Sequence, residues 1–321
     1  MSLNEFEIID RYFKSLTGEA VGVTCGIGDD AAVIGLPTGM ELVTSVDTLI
    51  SGVHFQTDTD PYDIGFKSLA VNLSDIAAMA AEPRWVTLAL TVPENNPAWL
   101  ESFARGFADL AKRYSVSLIG GDLTRGPLSI TVQILGTVPC GAAIKRSGAV
   151  PGDSIYVSGC LGGAGFALKV LNGECNDTEE LSAECLTRLL RPIPRIELGA
   201  GLRGLASAVI DISDGLAVDL GHILRASSVG AVIELGKVPV CDALAQITDE
   251  DILWQTALCS GDDYELCFTL PVSNCRQLQR MEIEMDCSVT CIGRIVENEA
   301  IRWLQSDGSE YDLRCSGYRH F

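Results

Sequence analysis

Strand-type and helical patterns alternate along this chain, and this alternation restricts the possible folds more than any other feature. Apolar and β-branched runs predict strands at Glu41–Val46, Trp85–Val92, Ser117–Ile119 and Ser129–Val138. Between them, apolar residues recur at helical spacing over Pro61–Ala81 and Ala98–Tyr114. Such alternation is typical of α/β and α+β proteins, in which helices cover a sheet.

The alternation continues beyond a turn-forming cluster at Ala149–Asp153. Strands are predicted at Ser154–Ser158 and Ala208–Ile212, and a helix is predicted over Leu216–Ala226. We therefore predict two lobes: an N-terminal domain of residues 1–145 and a C-terminal domain of residues 146–321. A chain of 321 residues is long enough for each lobe to bury its own hydrophobic core.

The twelve cysteines are scattered from Cys25 to Cys315 and form no C-x-x-C pair. In a chain of this length, we interpret them as reduced core residues of a cytoplasmic protein. No run of eighteen apolar residues occurs, and residues 1–10 lack the basic start of a secretory signal. We therefore expect neither a membrane span nor export.

Acidic residues dominate the charge of the chain, with 43 Asp and Glu against 23 Lys and Arg, a formal net charge of −20. Such a field repels nucleic acid and anionic lipid, so neither is expected as a partner. Most of these acids are interpreted as solvated surface residues. Clusters beside glycine are the exception.

Six acidic motifs follow β-type or apolar runs and are predicted to lie at the ends of secondary-structure elements, where α/β folds build their sites. They are Gly26–Ala31 (GIGDDA), Ser45–Thr48 (SVDT), Asn72–Asp75 (NLSD), Gly120–Asp122 (GGD), Asp211–Gly215 (DISDG) and Gly261–Glu265 (GDDYE). Gathered carboxylates repel one another unless a cation lies between them. Oxygen ligands of this kind suit Mg²⁺, which is held by a few carboxylates together with substrate phosphates.

Asp75 is the clearest of these candidates because of its place in a helix. Asn72 and Asp75 lie one turn apart, and Ala70, Ala77 and Ala78 around them offer no charge partner. A solvated helix face would carry more charge than Lys67 alone provides. We therefore interpret Asp75 as a metal ligand.

Motifs of other phosphate-binding and hydrolytic classes are missing or ambiguous. The chain has no G-x-x-x-x-G-K-[ST] loop and no G-x-S-x-G nucleophile motif. The glycine-rich turn Gly159–Gly165 precedes a predicted helix, and could cradle a phosphate or be a plain tight turn. The sequence leaves these two readings open.

Taken together, the motifs resemble the thiamine-monophosphate kinase family, a branch of the group that includes aminoimidazole ribonucleotide synthetase, selenophosphate synthetase and a hydrogenase-maturation protein. The resemblance runs nearly end to end. The matching segments are Gly26–Val33 (GIGDDAAV), Asp47–Phe55 (DTLISGVHF), Lys67–Pro83 (KSLAVNLSDIAAMAAEP), Gly120–Thr124 (GGDLT), Arg146–Asp153 (RSGAVPGD), Asp211–Leu216 (DISDGL), Gly261–Leu266 (GDDYEL) and Gly317–Phe321 (GYRHF).

The resemblance implies a fold of two α/β lobes, with the N-terminal lobes of two subunits forming a shared β-barrel in a homodimer. ATP is then expected in the cleft between the lobes. The implied reaction is the direct transfer of the γ-phosphoryl group of ATP to thiamine monophosphate, which gives ADP and thiamine diphosphate with the help of several Mg²⁺ ions.

The resemblance also implies roles for individual residues. Metal binding is implied for Asp30, Ser45, Val46, Asp47, Asp75, Asp122, Asp211 and Asp214. Nucleotide contacts are implied for Gly121, Asp122, Arg146 and Ser213, and thiamine contacts for His54, Asp262 and Tyr318. Arg146 and Asp122 are expected to be catalytic. Val46 could serve only through its backbone carbonyl, since its side chain has no ligand atom.

Phosphoryl transfer between two polyanions needs positioning and charge neutralisation more than covalent chemistry. A phosphate monoester has a second pKa of about 6 and is mostly dianionic at neutral pH, so no essential general base is expected. Two alternatives stay open. The chain could be another ATP-dependent synthetase of the same group, or a relative that binds divalent cations without catalysis.

Overall fold

The computed structural model describes residues 4–16, 21–174, 179–282, 287–298 and 300–315. Tyr318, which the resemblance assigns to the thiamine site, lies outside the described residues. The chain divides into two compact units. The first comprises Met1–Ile76 and Ala81–Gly141, and the second comprises Ala77–Ala80 and Ala142–Phe321.

The first unit opens with a helical segment and is built around a mixed sheet. The opening segment is α1 (Glu5–Ile8), a π-helix (Ile9–Phe13) and a 3₁₀ turn (Lys14–Leu16). The later helices are α2 (Pro61–Ala78) and α3 (Pro97–Arg113). The strands are β1 (Val23–Cys25), β2 (Val33–Ile34), β3 (Met40–Ile50), β4 (Glu82–Val92), β5 (Ser117–Arg125) and β6 (Ser129–Pro139).

Four strands of the first unit form one sheet in the order β3-β6-β4-β5, and β1 pairs with β2 separately. Strand β3 shows the alternation of a half-buried strand, because Ser45, Asp47 and Leu49 are more buried than Val46 and Thr48 between them. Its register places Asp47 opposite the buried Val132 of β6. Asp47 therefore lies on the inward face of the sheet.

The second unit contains a larger sheet. Its helices are α4 (Gly163–Leu171), α5 (Glu179–Leu190), α6 (Ile196–Gly201), α7 (Leu216–Ser227), α8 (Asp242–Ala245), α9 (Glu250–Cys259) and α10 (Cys275–Glu282). Its strands are β7 (Ser154–Ser158), β8 (Ala208–Asp211), β9 (Gly230–Glu234), β10 (Leu266–Leu270), β11 (Val289–Val296), β12 (Ile301–Leu304) and β13 (Glu310–Tyr311).

These strands form one sheet in the order β13-β12-β9-β11-β7-β10-β8. Its central strands read as continuous apolar runs because both faces are covered, as in β10, where all five residues are buried. Antiparallel pairing of β8 with β10 places Asp211 opposite Leu266. The loops that follow Asp211 and precede Leu266 therefore begin side by side.

The predicted mixture of helices and strands in two α/β units is confirmed. The prediction that the acidic motifs lie at element ends is wrong for Asp47 and Asp122, which lie within β3 and β5. Both strands continue past the apolar run that predicted them, because one face of the sheet carries polar residues such as Thr48 and Thr124.

The prediction that all cysteines are reduced is also wrong, since Cys259 and Cys315 form a disulfide. The bond joins the end of α9 to a segment 56 residues later. No sequence spacing marks such a pair, because the two residues meet only in the folded chain. Among the described residues, no helix is long and apolar enough to cross a bilayer.

Two glycines allow the backbones of α2 and α3 to touch in the first unit. A β-carbon on Gly65 would overlap the carbonyl oxygen of Phe103, and one on Gly106 would overlap the carbonyl oxygen of Tyr62. The two glycines thus form a reciprocal contact between the helices. Phe103 and Phe107, both fully buried, pack beside it.

We expect Gly106→Ala to lower the free energy of unfolding by about 1–3 kcal/mol, because backbone atoms cannot rearrange to admit the methyl group. The matched control is Gly221→Ala on α7, where the nearest atom is the flexible end of Arg225 at 3.3 Å. That change should be neutral or should stabilise by up to about 1 kcal/mol. Equal unfolding curves for the two variants in urea would contradict the proposed packing role.

Candidate functional site

The first unit brings together three of the predicted metal ligands. The Oγ of Ser45 donates a hydrogen bond of 2.5 Å to Oδ2 of Asp75, which joins β3 to α2. Asp47 lies two residues further along the same face of β3. Burial, and secondarily the negative charge of Asp75, raises the pKa of Asp47 to about 6. Two carboxylates thus repel each other in a partly buried position.

Such a pair fits a divalent cation, and one further atom of α2 supports this reading. The Oδ1 of Asn72 is buried and has no hydrogen-bond partner among the described residues, while its Nδ2 donates to the carbonyl of Ser68. Asn72 precedes Asp75 by three residues and is itself fully buried. An unpaired buried oxygen one turn from a carboxylate pair is consistent with a site for an oxygen-seeking cation.

Asp122 lies elsewhere on the same sheet. Its register on β5 places it opposite Ala89, whereas Asp47 is in the row of the buried residues Val132 and Leu88. Asp122 is exposed, on the face of the sheet opposite to that of Asp47. The described first unit therefore does not bring these two carboxylates together.

Gly121 has a structural reason to be glycine besides the predicted nucleotide contact. Its φ is +153°, and a β-carbon would overlap the carbonyl oxygen of Leu88 on β4. Parallel pairing of β4 with β5 at this point thus requires a residue without a side chain. The nucleotide contact stays a prediction.

The remaining candidates of the first unit are spread around it. Asp30 is exposed in the turn between β1 and β2, where its amide donates to Asp29. The side chain of Val46 is 59% exposed on the outward face of β3. His54 lies in the turn after β3, and its Nδ1 accepts the backbone N–H of Ile50 at 3.0 Å. The neutral imidazole therefore carries its proton on Nε2.

In the second unit, the loop Ile212–Gly215 (the first loop) lies beside the loop Gly261–Glu265 (the second loop), and their backbones are hydrogen-bonded to each other. The amide of Ile212 donates to the carbonyl of Glu265, that of Tyr264 donates to Ile212, and that of Asp262 donates to Ser213, at 2.8, 2.8 and 2.9 Å. This places Asp262 beside Ser213 and Asp214. The structure thus brings together residues assigned to thiamine, nucleotide and metal contacts.

The second of these loops holds an uncommon backbone conformation. Asp262 and Tyr264 have φ values of +62° and +49°, in the left-handed region that non-glycine residues rarely adopt. Such residues persist only where the surrounding structure fixes them, and they cluster at functional sites. The strain supports a functional role for the loop.

Arg146 lies near the first loop. Its positive charge acts on the carboxylate of Asp219 and on the imidazole of His222, both on α7. Burial, followed by the charges of Arg225 and Arg146, lowers the pKa of His222. The carbonyl of Arg146 accepts a hydrogen bond from Ser227 on the same helix. The predicted nucleotide contacts Arg146 and Ser213 are thus close to one helix.

A buried ion pair fixes the end of the second loop. Glu265 accepts two hydrogen bonds from the guanidinium of Arg195, at 2.6 and 2.5 Å, and one from Ser158. The Ser158 hydroxyl in turn accepts the amide of Leu266 at 2.8 Å. Because Glu265 is almost fully buried, Arg195 supplies the charge that stabilises it there.

The contacts of Asp263 distinguish between the two readings of the Gly159–Gly165 turn, a phosphate cradle and a plain tight turn. Its carboxylate accepts the amide of Gly162 at 2.9 and 3.0 Å, and burial raises its pKa well above the usual range. A β-carbon on Gly159 would overlap the Glu265 carboxylate, and one on Gly165 would overlap Ser260. The turn is glycine-rich for packing against the second loop, which favours the tight-turn reading.

Within the described part of the chain, no three His, Cys, Asp or Glu side chains gather closely enough to hold a metal ion by themselves. Sequence reasoning missed Arg195 and Asp219, since neither lies in a motif. Asp219 follows the DISDG motif by four residues, which is one helical turn. That spacing is the signal that could have identified it.

Comparisons with known proteins agree over the whole chain. Residues 28–138 match the model of the AIR synthase related protein N-terminal domain, and residues 150–303 match that of the C-terminal domain. Thiamine-monophosphate kinase of Escherichia coli strain K12 is 46% identical over 323 residues, covering 100% of this chain and 99% of the relative.

Two solved structures extend the similarity to the fold. Thiamine-monophosphate kinase from Stenotrophomonas maltophilia K279a has a TM-score of 0.88 at 44% identity, covering 97% of this chain and 99% of that one. AaThiL complexed with AMPPCP and TMP has a TM-score of 0.76 at 30% identity, covering 99% and 97%.

We expect Arg195→Ala to lower the free energy of unfolding by about 3–5 kcal/mol, because Glu265 would be left as an uncompensated buried charge. The control is Arg302→Ala, which removes an exposed ion pair with Glu310 and should cost less than about 1 kcal/mol. Urea unfolding measures both variants. A loss for Arg195→Ala no larger than that of the control would show that the ion pair does not hold the loop.

Proposed function

We propose that this chain, which belongs to the thiamine-monophosphate kinase family, transfers the γ-phosphoryl group of ATP to thiamine monophosphate, giving ADP and thiamine diphosphate. The observation that carries the proposal is the full-length match to AaThiL, whose structure holds AMPPCP and TMP together. An ATP analogue beside a phosphate monoester is the reactant pair of such a kinase. The loops of the second unit and the carboxylates of the first are consistent with it.

For the first unit, we propose that Asp47, Asp75 and Ser45 bind Mg²⁺, with the Val46 carbonyl, Asp30 and Asp122 as further ligands. The support is the position of Asp47, where burial, and secondarily the charge of Asp75, raises its pKa. Because β3 is an edge strand, alternate backbone carbonyls of β3 are not used by β6. Bound Mg²⁺ would supply charge neutralisation for the phosphates. Gly121 and Asp122 are proposed to contact the nucleotide.

For the second unit, we propose that Arg146 and Ser213 bind the phosphates of ATP, with Asp211 and Asp214 as metal ligands. An arginine delocalises charge over phosphate oxygens and can donate two parallel hydrogen bonds to them. In the catalytic role assigned to Arg146 and Asp122, neither residue takes a proton from the acceptor. The acceptor phosphate is already mostly dianionic at neutral pH.

For thiamine recognition, we propose His54, Asp262 and Tyr318. The Nδ1 of His54 is held by the backbone of Ile50, which orients the ring, and the backbone of Asp262 is held by the carbonyl of Ser213. The His54 ring and the Asp262 backbone are thus set in place before a substrate binds, which limits the entropy lost on binding. A cytoplasmic location is proposed from the nine described cysteines that stay free thiols.

We also propose a homodimer in which the outward face of β3 packs on a second copy of the chain. Leu42, Val46 and Ile50 lie on this face and are 44%, 59% and 42% exposed. Alternate residues of one strand share a face, so the three lie in one row, with the exposed Thr44 and Thr48 between them. A second copy covers this row by the same contacts in both directions, as a two-fold interface requires.

The activity is tested with purified protein, ATP, MgCl₂ and thiamine monophosphate, with thiamine diphosphate detected by chromatography. We expect product from the wild type and a rate at least about 100-fold lower for Asp47→Asn, since a metal ligand is lost. Asp58→Asn, an exposed aspartate in the turn after β3, is the matched control and should stay active. ADP without thiamine diphosphate would move the chain to another ATP-dependent synthetase, and no ATP turnover would favour a non-catalytic cation binder.

The homodimer is tested by light scattering after size-exclusion chromatography. We expect Leu42→Lys to convert the dimer to a monomer, because a charge would be buried in the interface. Leu168→Lys on α4 is the control, since Leu168 has a similar exposure of 42%. A monomeric wild type, or a Leu42→Lys variant that stays dimeric, would refute this interface.

A further inference from the structure

A buried carboxylate on α7 contacts the loop that carries the proposed nucleotide and metal ligands. Asp219 lies in the first turn of α7 and is 3% exposed. Its Oδ2 accepts the backbone amide of Asp214 at 3.0 Å. This side chain thus holds the amide of a residue that we propose as a metal ligand.

The opposite side of the same loop is held by different contacts. The carbonyls of Ile212 and Ser213 accept the amides of Tyr264 and Asp262. Gly261 packs so closely that a β-carbon there would overlap the carbonyl of Ser213. The carbonyls on one side of the loop and the amide on the other are therefore fixed by different contacts. Asp219 makes the contact with the amide.

Asp219 also acts on a residue beyond the loop. The charge of Arg146 also acts on this carboxyl group, so a buried acid lies close to the proposed phosphate-binding cation and to the backbone of Asp214. Removing this acid would change both the orientation of the loop and the electrostatic surroundings of Arg146. Side chains that hold ligands in place in this way are often as important for affinity as the ligands themselves.

We propose that Asp219 is a positioning residue for MgATP, which it serves by fixing the backbone of Asp214, next to Ser213, without touching the nucleotide. This inference rests on the proposed kinase function. It adds a residue outside the motifs that carry the family resemblance.

The first test is hydrogen exchange of the ligand-free protein. Asp219→Leu keeps the approximate size of the side chain but removes both acceptor oxygens, so the amide of Asp214 loses its partner. We expect the amide of Asp214 to exchange at least about 10-fold faster than in the wild type. Ile223→Val, a mild core change on the same helix, is the control and should leave this amide protected.

The second test is calorimetric binding of ATP in the presence of MgCl₂, without thiamine monophosphate. We expect the Kd of Asp219→Leu to rise by about 10–100-fold, with the Kd of Ile223→Val unchanged. In the kinase assay the KM for ATP should rise in parallel, while kcat falls less. If Asp219 were merely structural, its replacement would lower stability, as Ile223→Val does, and the KM for ATP would not rise more than kcat falls.

Exchange of the Asp214 amide and MgATP affinity of Asp219→Leu within about twofold of the wild type would overturn the proposal. Should that variant not fold, Asp219→Glu keeps the carboxylate but displaces the loop by one methylene, and the same two measurements apply. A wild type that binds MgATP without forming thiamine diphosphate would refute the kinase function alone. A wild type that does not bind MgATP would overturn both.

Discussion

The backbone pairing of two acidic loops is the interaction on which the second unit depends. Strands β8 and β10 run antiparallel, so the loop after Asp211 and the loop before Leu266 continue the pairing beyond the sheet. This continuation requires positive φ at Asp262 and Tyr264, and it requires a glycine at 261. The buried core of the sheet, which includes Ile210 and Cys267, fixes where both loops begin and so holds the strained residues in place.

Several acids in and beside these loops have structural partners. Glu265 is paired with Arg195, Asp263 accepts the amide of Gly162, and Asp219 accepts the amide of Asp214. Each of the three would be destabilising without its partner. Asp214 and Asp262 are half-buried, as expected of residues that contact a ligand. Motif reading alone cannot identify these partners, since Asp262, Asp263 and Glu265 belong to one motif.

The sequence was sufficient for the kinds of elements and for most candidate residues, but not for their surroundings. Apolar runs predicted β7 with its observed bounds, since that strand is buried and short. The predicted β3 and β5 were too short, because the later residues of both strands are polar on one face. Asp47 and Asp122 were therefore wrongly predicted at strand ends. Arg195 pairs with a glutamate 70 residues away, and Cys259 with a cysteine 56 residues away. Such contacts exist only once the fold has formed.

The first unit shows why a cation would matter to stability as well as to chemistry. Asp47 has a pKa of about 6 in the folded chain against an ordinary value of 3.8, with burial as the main cause. The folded state therefore binds this proton more tightly than the unfolded state, so stability falls as pH rises from about 4 to about 6. At neutral pH the ionised pair of Asp47 and Asp75 destabilises the unit. A divalent cation under the proposed function would reverse this effect, since it binds the folded carboxylates and not the dispersed ones. The carboxylates thus lower the stability of the metal-free protein at neutral pH, and a bound cation would restore it.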